Sequence, residues 1–193
     1  MKEIALNSLL SDVAKCRLCV DHLPLGPRPV VQAAPSAKLL IIGQAPGTRV
    51  HETGIPWNDP SGDRLREWLQ IDKTQFYDPD QIAIMPMGFC YPGRGKSGDL
   101  PPRPECAPTW HQAIKQHLPD VTLTLLIGDY AQRHYLNNKP RTLTQTVQAN
   151  ARWAPDFIAL PHPSPRNNLW LKKNPWFEQE TLPQLRIRID QLF

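Results

Sequence analysis

The sequence predicts a three-layer α/β/α fold around a central four-stranded parallel sheet. Three observations carry this: four short apolar runs rich in branched residues, helical patterns between them, and a Pro/Gly-marked loop after the runs. The runs are Lys38 to Gly43 (KLLIIG), Gln81 to Met87 (QIAIMPM), Val121 to Gly128 (VTLTLLIG) and Asp156 to Pro161 (DFIALP). Helical spacing marks SGDRLREWL, with Ser61 as its cap, and DYAQRHYL, with Asp129 as its cap. It also marks PTWHQAIKQHL and the C-terminal WFEQETLPQLRIRIDQL. Strands alternating with helices form a parallel sheet covered on both faces. In such sheets the ligand sits beyond the carboxyl ends of the strands.

Composition bounds the rest. The chain has 193 residues with 22 Pro and 10 Gly, less than the roughly 25–30% that marks a low-complexity chain. No repeat, charge block or linker divides it, so one domain over residues 1–193 is expected. The longest apolar run is about seven residues, short of the ~18 that span a bilayer. The opening MKEIALNSLL carries an acid where a signal peptide is basic. The expectation is a soluble, cytoplasmic, monomeric protein. Four cysteines are too few for a secreted disulfide scaffold; ligands, nucleophiles or core remain. The net charge of +4 permits a nucleic-acid partner without specifying one.

The loops after the strands gather the unusual chemistry: Gly43-Gln44-Ala45-Pro46-Gly47, Gly88-Phe89-Cys90-Tyr91-Pro92-Gly93, Gly128-Asp129-Tyr130, and His162-Pro163-Ser164-Pro165-Arg166-Asn167. Glycine and proline there suit rigid turns that bring backbone close to a ligand. GQAPG lacks the Lys-Ser/Thr ending of a P-loop and the three glycines of a dinucleotide fingerprint, which argues against nucleotide cofactors. No Gly-x-Ser-x-Gly elbow or His-Glu-x-x-His helix occurs, so esterase and metalloprotease readings lose support.

GQAPG after the first strand, running on to TGIPWNDPSGDRL, and HPSPRN after the fourth resemble the two motifs of the uracil-DNA glycosylase superfamily. TGIPWNDPSGDRL resembles the iron-sulfur branch, family 4, without gaps, and its SGD is similar to family 5. The resemblance runs from Cys16 to the C-terminal helix. It implies a glycosylase of base excision repair that flips a deaminated base, uracil or a relative, from DNA and hydrolyses its N-glycosidic bond. Trp57 takes the position of the aromatic residue that stacks on the base, and Gly43, Ala45, Pro46, Gly47 and Ser164 fall among the base-binding positions.

Cys16 and Cys19 form a CxxC, while Cys90 and Cys106 bracket CYPGRGKSGDLPPRPEC. Four thiolates suit a [4Fe-4S] cluster or tetrahedral zinc, and spacing does not separate the two; unliganded cysteines are a third option. The iron-sulfur branch has four cysteines in this order, so the resemblance implies the cluster, in a structural role.

Cleaving an N-glycosidic bond builds positive charge on the sugar and negative charge on the base. The site therefore needs an anion or polarised water at one end and a donor at the other. His162 is the expected donor. The water-activating residue departs from the family pattern, which places an acid at the position of Gln44 or an Asp or Asn at that of Ala45. Gln44 can orient water; Asp59 is the best substitute by the family 5 pattern, against a plain role, with Asp63, as helix-terminal charge. Asn58 and Glu52 are further candidates. Uracil readers also carry an Asn late on the second strand; here that position falls near Pro86, so a broader choice of base is expected.

Arg94, Lys96, Arg166 and Asn167 are candidate DNA contacts, as are Lys172 and Lys173, with Trp170 and Trp176 against sugar or base. Leu169 follows the last motif where the family inserts a wedge into the duplex. A non-catalytic protein of the same fold, binding nucleic acid or a base with its cluster intact and its acid lost, is the alternative.

Overall fold

The computed structural model describes residues 2–193. In chain order the elements are α1 (Lys2–Ala14), β1 (Leu39–Ile42), α2 (Thr48–Thr53), α3 (Pro60–Leu69), α4 (Lys73–Phe76) and β2 (Ile82–Ile84). Two-residue strands β3 (Arg94–Gly95) and β4 (Gly98–Asp99) follow, then α5 (Cys106–Lys115), β5 (Leu123–Ile127), α6 (Asp129–Tyr135) and α7 (Leu143–Gln148). The chain ends with β6 (Phe157–Leu160), α8 (Asn168–Lys173), a π-turn at Phe177–Thr181 and α9 (Leu182–Asp190).

Leu39 to Ile42 are apolar at every position because β1 lies inside a sheet covered on both faces. The strand order is β2-β1-β5-β6 with all pairs parallel, as the sequence predicts. Successive side chains alternate between two cores. Leu39, Ile41, Leu123, Leu125 and Ile127 pack with Leu65, Trp68 and Leu69 of α3, Phe177, and Leu185 and Ile189 of α9. Leu40, Ile42 and Leu126 face the other way, onto Leu6 and Val13 of α1, Ile114 of α5 and Ala131 of α6.

The exposed edges of the sheet are both covered by polar groups. On the β2 side, the backbone of Gln32 exchanges hydrogen bonds with Ile84 at 2.9 and 2.7 Å. On the β6 side, Asn150 imitates a neighbouring strand: its Nδ2 donates to the Ala159 carbonyl at 3.1 Å and its Oδ1 accepts from the Ala159 N–H at 2.7 Å. Such cover stops an edge from pairing with another chain.

Several predicted details shift. The second strand is Ile82–Ile84, shorter than the run, although the Met85 and Met87 N–H groups still donate to the Ile41 and Gly43 carbonyls at 2.9 Å each. The cap of α3 is Asp59 rather than Ser61: its carboxylate accepts from the Gly62 N–H, and Pro60 occupies the first helical turn. Gly128 precedes α6 at φ 83°, and Asp129 is the first helical residue, bonded to Arg133 and Lys139 instead of capping. The C-terminal helical pattern divides into the π-turn and α9. Helix α1 and the β3–β4 hairpin were not foreseen in the sequence pattern.

Replacing Asn150 with Ala removes both hydrogen bonds to the β6 edge and leaves two backbone groups without partners. A loss of about 1–3 kcal/mol is expected, read as a lower urea midpoint together with faster amide exchange at Ala159.

Candidate functional site

The chain passes from β1 outward to β2, then returns to lay β5 on the other side of β1. This reversal opens a crevice beyond the strand ends. A cavity of about 510 Å³ occupies it. Its walls hold the loop Gly43 to Gly47, Trp57, Asp59, Pro86, Tyr130 and His162, with Ser164, Arg166 and Asn167. Gly43, Ala45, Pro46, Gly47, Gln44, Trp57, Asp59, His162 and Ser164, all singled out from the sequence, thus converge on one cavity.

Trp57 is fixed by close backbone contacts. It adopts a left-handed conformation at φ 56°, which is uncommon for a bulky residue. A Cβ on Gly62 would lie 1.7 Å from the Trp57 carbonyl oxygen, and one on Gly43 would lie 2.7 Å from the indole Cζ2. Only glycine fits at either position. The buried Arg66 donates to the same carbonyl at 3.4 Å, and Asp59, two residues on, caps α3 at 2.8 Å. The indole then faces His162, with ring centroids 5.5 Å apart.

His162 is held by its own loop. Its Nδ1 accepts the Ser164 N–H at 3.2 Å, so the proton of the neutral ring is on Nε2. Its carbonyl accepts from Asn167 Nδ2 at 2.7 Å, and the Ser164 carbonyl accepts from Arg64 at 3.2 Å. Desolvation lowers the His162 pKa below its ordinary value of 6.5, and the Asp59 carboxylate acts in the opposite direction. The result is a neutral imidazole able to donate from Nε2.

The loop after β1 is also tied down. Gly43 and Gln44 carbonyls accept from Met87 and Gly88 N–H groups at 2.9 and 3.0 Å. The Gln44 side chain reaches the Leu100 carbonyl at 3.5 Å, toward the hairpin. Pro86 lines the cavity where an amide side chain was sought, and its carbonyl points to the buried His111 Nε2, 3.0 Å away. His111 is lowered to about 4 by burial and accepts the Tyr135 hydroxyl through Nδ1.

The β3–β4 hairpin closes one side of the cavity with Ser97, Gly98 and Asp99. Arg166 Nη1 donates to the Ser97 carbonyl at 3.1 Å, and a Cβ on Gly98 would stand 2.2 Å from that nitrogen. Arg166, expected as a DNA contact, therefore pins the hairpin. Asp99 and the hairpin are site elements that sequence reasoning missed, whereas Tyr130 lies in the third of the strand-end loops singled out. The Gly-Lys-Ser-Gly stretch between short extended segments was the available hairpin signal.

Other expected contacts separate by exposure. Arg94, Lys96, Lys172 and Lys173 are exposed. Leu169 projects from the first turn of α8 with 71% of its surface exposed. Trp170 and Trp176 pack edge-on against Phe177 and each other, and Trp170 Nε1 donates to Thr144 at 2.9 Å, so both half-buried rings stand at the core margin. Glu52 is exposed and, like Asn58, is not among the residues lining the cavity.

Cys16, Cys19, Cys90 and Cys106 line a second, smaller cavity with Phe89, Arg103 and Trp110. The Phe89 N–H donates to Cys106 Sγ at 3.3 Å. Burial pushes the Cys90 thiol up to about 11 and the Cys106 thiol up to about 12. Trp110 has a buried Nε1–H with no partner. Among the described residues, no three His, Cys, Asp or Glu side chains are gathered closely enough for a metal ion.

A crevice at the reversal of a parallel sheet, walled by the first-strand loop on one side and by a His-led loop on the other, defines an α/β fold of glycosylase type. The chain belongs to the uracil DNA glycosylase superfamily, whose family model matches residues 30–186. Cys16 and Cys19 lie ahead of the matched region. No helix among the described residues is long and apolar enough to cross a membrane.

An NMR titration of His162 checks the electrostatics. A midpoint below 6.5 with the proton on Nε2 in the neutral ring is expected; a midpoint at or above 6.5 contradicts it. Because folding lowers this pKa, the stability it contributes is present above pH 6.5 and declines as pH falls through the folded-state value.

Proposed function

We propose that the protein is a DNA glycosylase of base excision repair that flips a deaminated base, uracil or a relative, into the cavity beyond β1 and β5 and hydrolyses its N-glycosidic bond. The observation that supports this most is the neutral His162 ring, fixed by Ser164 with Nε2–H available as a donor, beside Trp57 and within the field of Asp59. As the bond to the base lengthens, negative charge gathers on the base oxygen and Nε2–H stabilises it. The Asp59 carboxylate keeps one oxygen on the helix cap and offers its other charge density to the sugar, which becomes positive. The Trp57 ring provides a face for the flipped base to stack on.

Pro86 supports a broad choice of base. It has neither a side-chain amide nor an N–H with which to read a base edge, and such a site discriminates weakly. The exposed Leu169 suits a wedge that fills the gap left by the flipped base, and Arg94 and Lys96 suit phosphate contacts.

The order of the four cysteines along the chain supports a [4Fe-4S] cluster over zinc. Four soft donors line the second cavity, and the orphaned Trp110 N–H stands in the same wall, where a cluster sulfur would accept it. Cys16, Cys19, Cys90 and Cys106 would hold the cluster, joining the N-terminal segment to the loop after β2. It would supply cross-linking rather than a step of the hydrolysis.

The residues Gln44 and Ala45, in place of an acid in the first motif, favour a second reading: a protein of this fold that binds nucleic acid or a base without cleaving it.

Oligonucleotides carrying uracil, hypoxanthine or xanthine separate the two. Wild-type protein is expected to release at least one base, and His162→Ala to lose about 10²–10⁴-fold in single-turnover rate; binding without release by cluster-loaded protein supports the second reading. Anaerobically purified protein is expected to be brown, with absorption near ~400 nm that Cys90→Ser removes. A colourless protein containing zinc contradicts the cluster.

A further inference from the structure

The motif loop after β1 has no acid, and Asp59 has one carboxylate oxygen committed to the Gly62 N–H at 2.8 Å. A glycosylase still requires a base for the attacking water. A second carboxylate is present in the same cavity, brought from a part of the chain that the family's motifs do not include. The position a Cβ would take on Gly47 is 3.6 Å from Asp99 Oδ2 and 4.0 Å from Asp59 Oδ2. Two carboxylates therefore converge on one point above the loop. Gly47, with no side chain, leaves that point open.

Asp99 is presented by a fastened hairpin. It lies on β4, paired with Arg94 of β3, in the hairpin between Cys90 and Cys106. The hairpin is fastened to the last motif by Arg166, whose guanidinium packs over Gly98 and donates to Ser97. The Leu100 N–H donates to the Gly93 carbonyl at 2.8 Å and closes its base. The carboxylate is exposed and, among the described residues, takes part in no salt bridge, so it meets solvent water there without giving up an ion-pair partner.

We infer that Asp99 is the water-activating carboxylate of this site, taking the role that Gln44 and Ala45 leave unfilled, while Asp59 acts as the fixed anion beside the sugar. The inference rests on the glycosylase reading above. A water between Asp99 and C1′ of the flipped nucleotide forms the new C–O bond, and its proton passes to Asp99. The C1′–N bond breaks, and its electron pair leaves with the base, whose oxygen is held by His162 Nε2–H. The departing base then takes up a proton from solvent and Asp99 returns its own to solvent, giving an abasic site and free base from one water.

The test uses the 193-residue protein on uracil-, hypoxanthine- and xanthine-containing oligonucleotides, with affinity measured on an oligonucleotide holding a tetrahydrofuran abasic analogue. Asp99→Asn is expected to lower the single-turnover rate about 10²–10⁴-fold while leaving affinity for the abasic analogue unchanged or tighter, since a charge facing the phosphates is gone. Asp99→Ala is expected to regain rate when sodium formate is added, a response that a purely structural residue does not give. Wild-type activity with Asp99→Asn within about tenfold of it overturns the inference alone. So does a loss of affinity that parallels the loss of rate, or an Asp99→Ala protein that formate does not rescue. No release of any base by wild type overturns the glycosylase reading, and the inference with it.

Discussion

The site depends on the placement of one indole. Trp57 sits at φ 56°, its carbonyl pressed on the bare Cα of Gly62 and its ring on the bare Cα of Gly43. Gly43 directly follows β1, and Gly62 lies in the first turn of α3, so the contact joins the central sheet to the helix that packs on it through Leu65 and Leu69. Once that joint is made, the Asp59 cap and the face presented to His162 follow. A left-handed bulky residue costs energy. Here it is held by the Arg66 hydrogen bond and by two glycines that leave it room.

The electrostatics of the cavity divide along the same joint. On one side His162 is desolvated and neutral, with its acceptor nitrogen occupied by Ser164. On the other, Asp59 and Asp99 face the space above Gly47. A donor without formal charge opposite two anions suits a reaction that separates charge between a leaving base and a cationic sugar. The hairpin that carries Asp99 also links the cysteine-bearing loop to the last motif, since it begins just after Cys90 and is held by Arg166. The second cavity and the first are therefore connected by a short stretch of chain.

Much of the fold was legible because each central strand is apolar on both faces: Leu39 to Ile42 and Leu123 to Ile127 admit only a covered parallel position. The loops with His162 and Gly43 to Gly47 were legible because strand ends are where such sheets place ligands. Local details were less so. Ser61 and Asp59 are both good caps two residues apart, and Pro60 decides between them by fitting the first helical turn. Trp170 and Trp176 resemble surface aromatics in sequence, yet their burial depends on Phe177 and a π-turn that no periodicity announces. Asp99 was hidden for a different reason: its strand is two residues long, and its position over Gly47 comes from Arg166, 67 positions further along the chain, whose hydrogen bond to Ser97 spans 69.

The central claim is that this cavity hydrolyses an N-glycosidic bond. Product analysis by mass spectrometry in heavy-oxygen water tests it most directly, using anaerobically purified protein and a duplex or single strand with one deaminated base. The account predicts free base together with an abasic sugar that has gained one heavy oxygen at C1′. Intact oligonucleotide bound to the protein, or a sugar joined to the chain instead of to water, would contradict it.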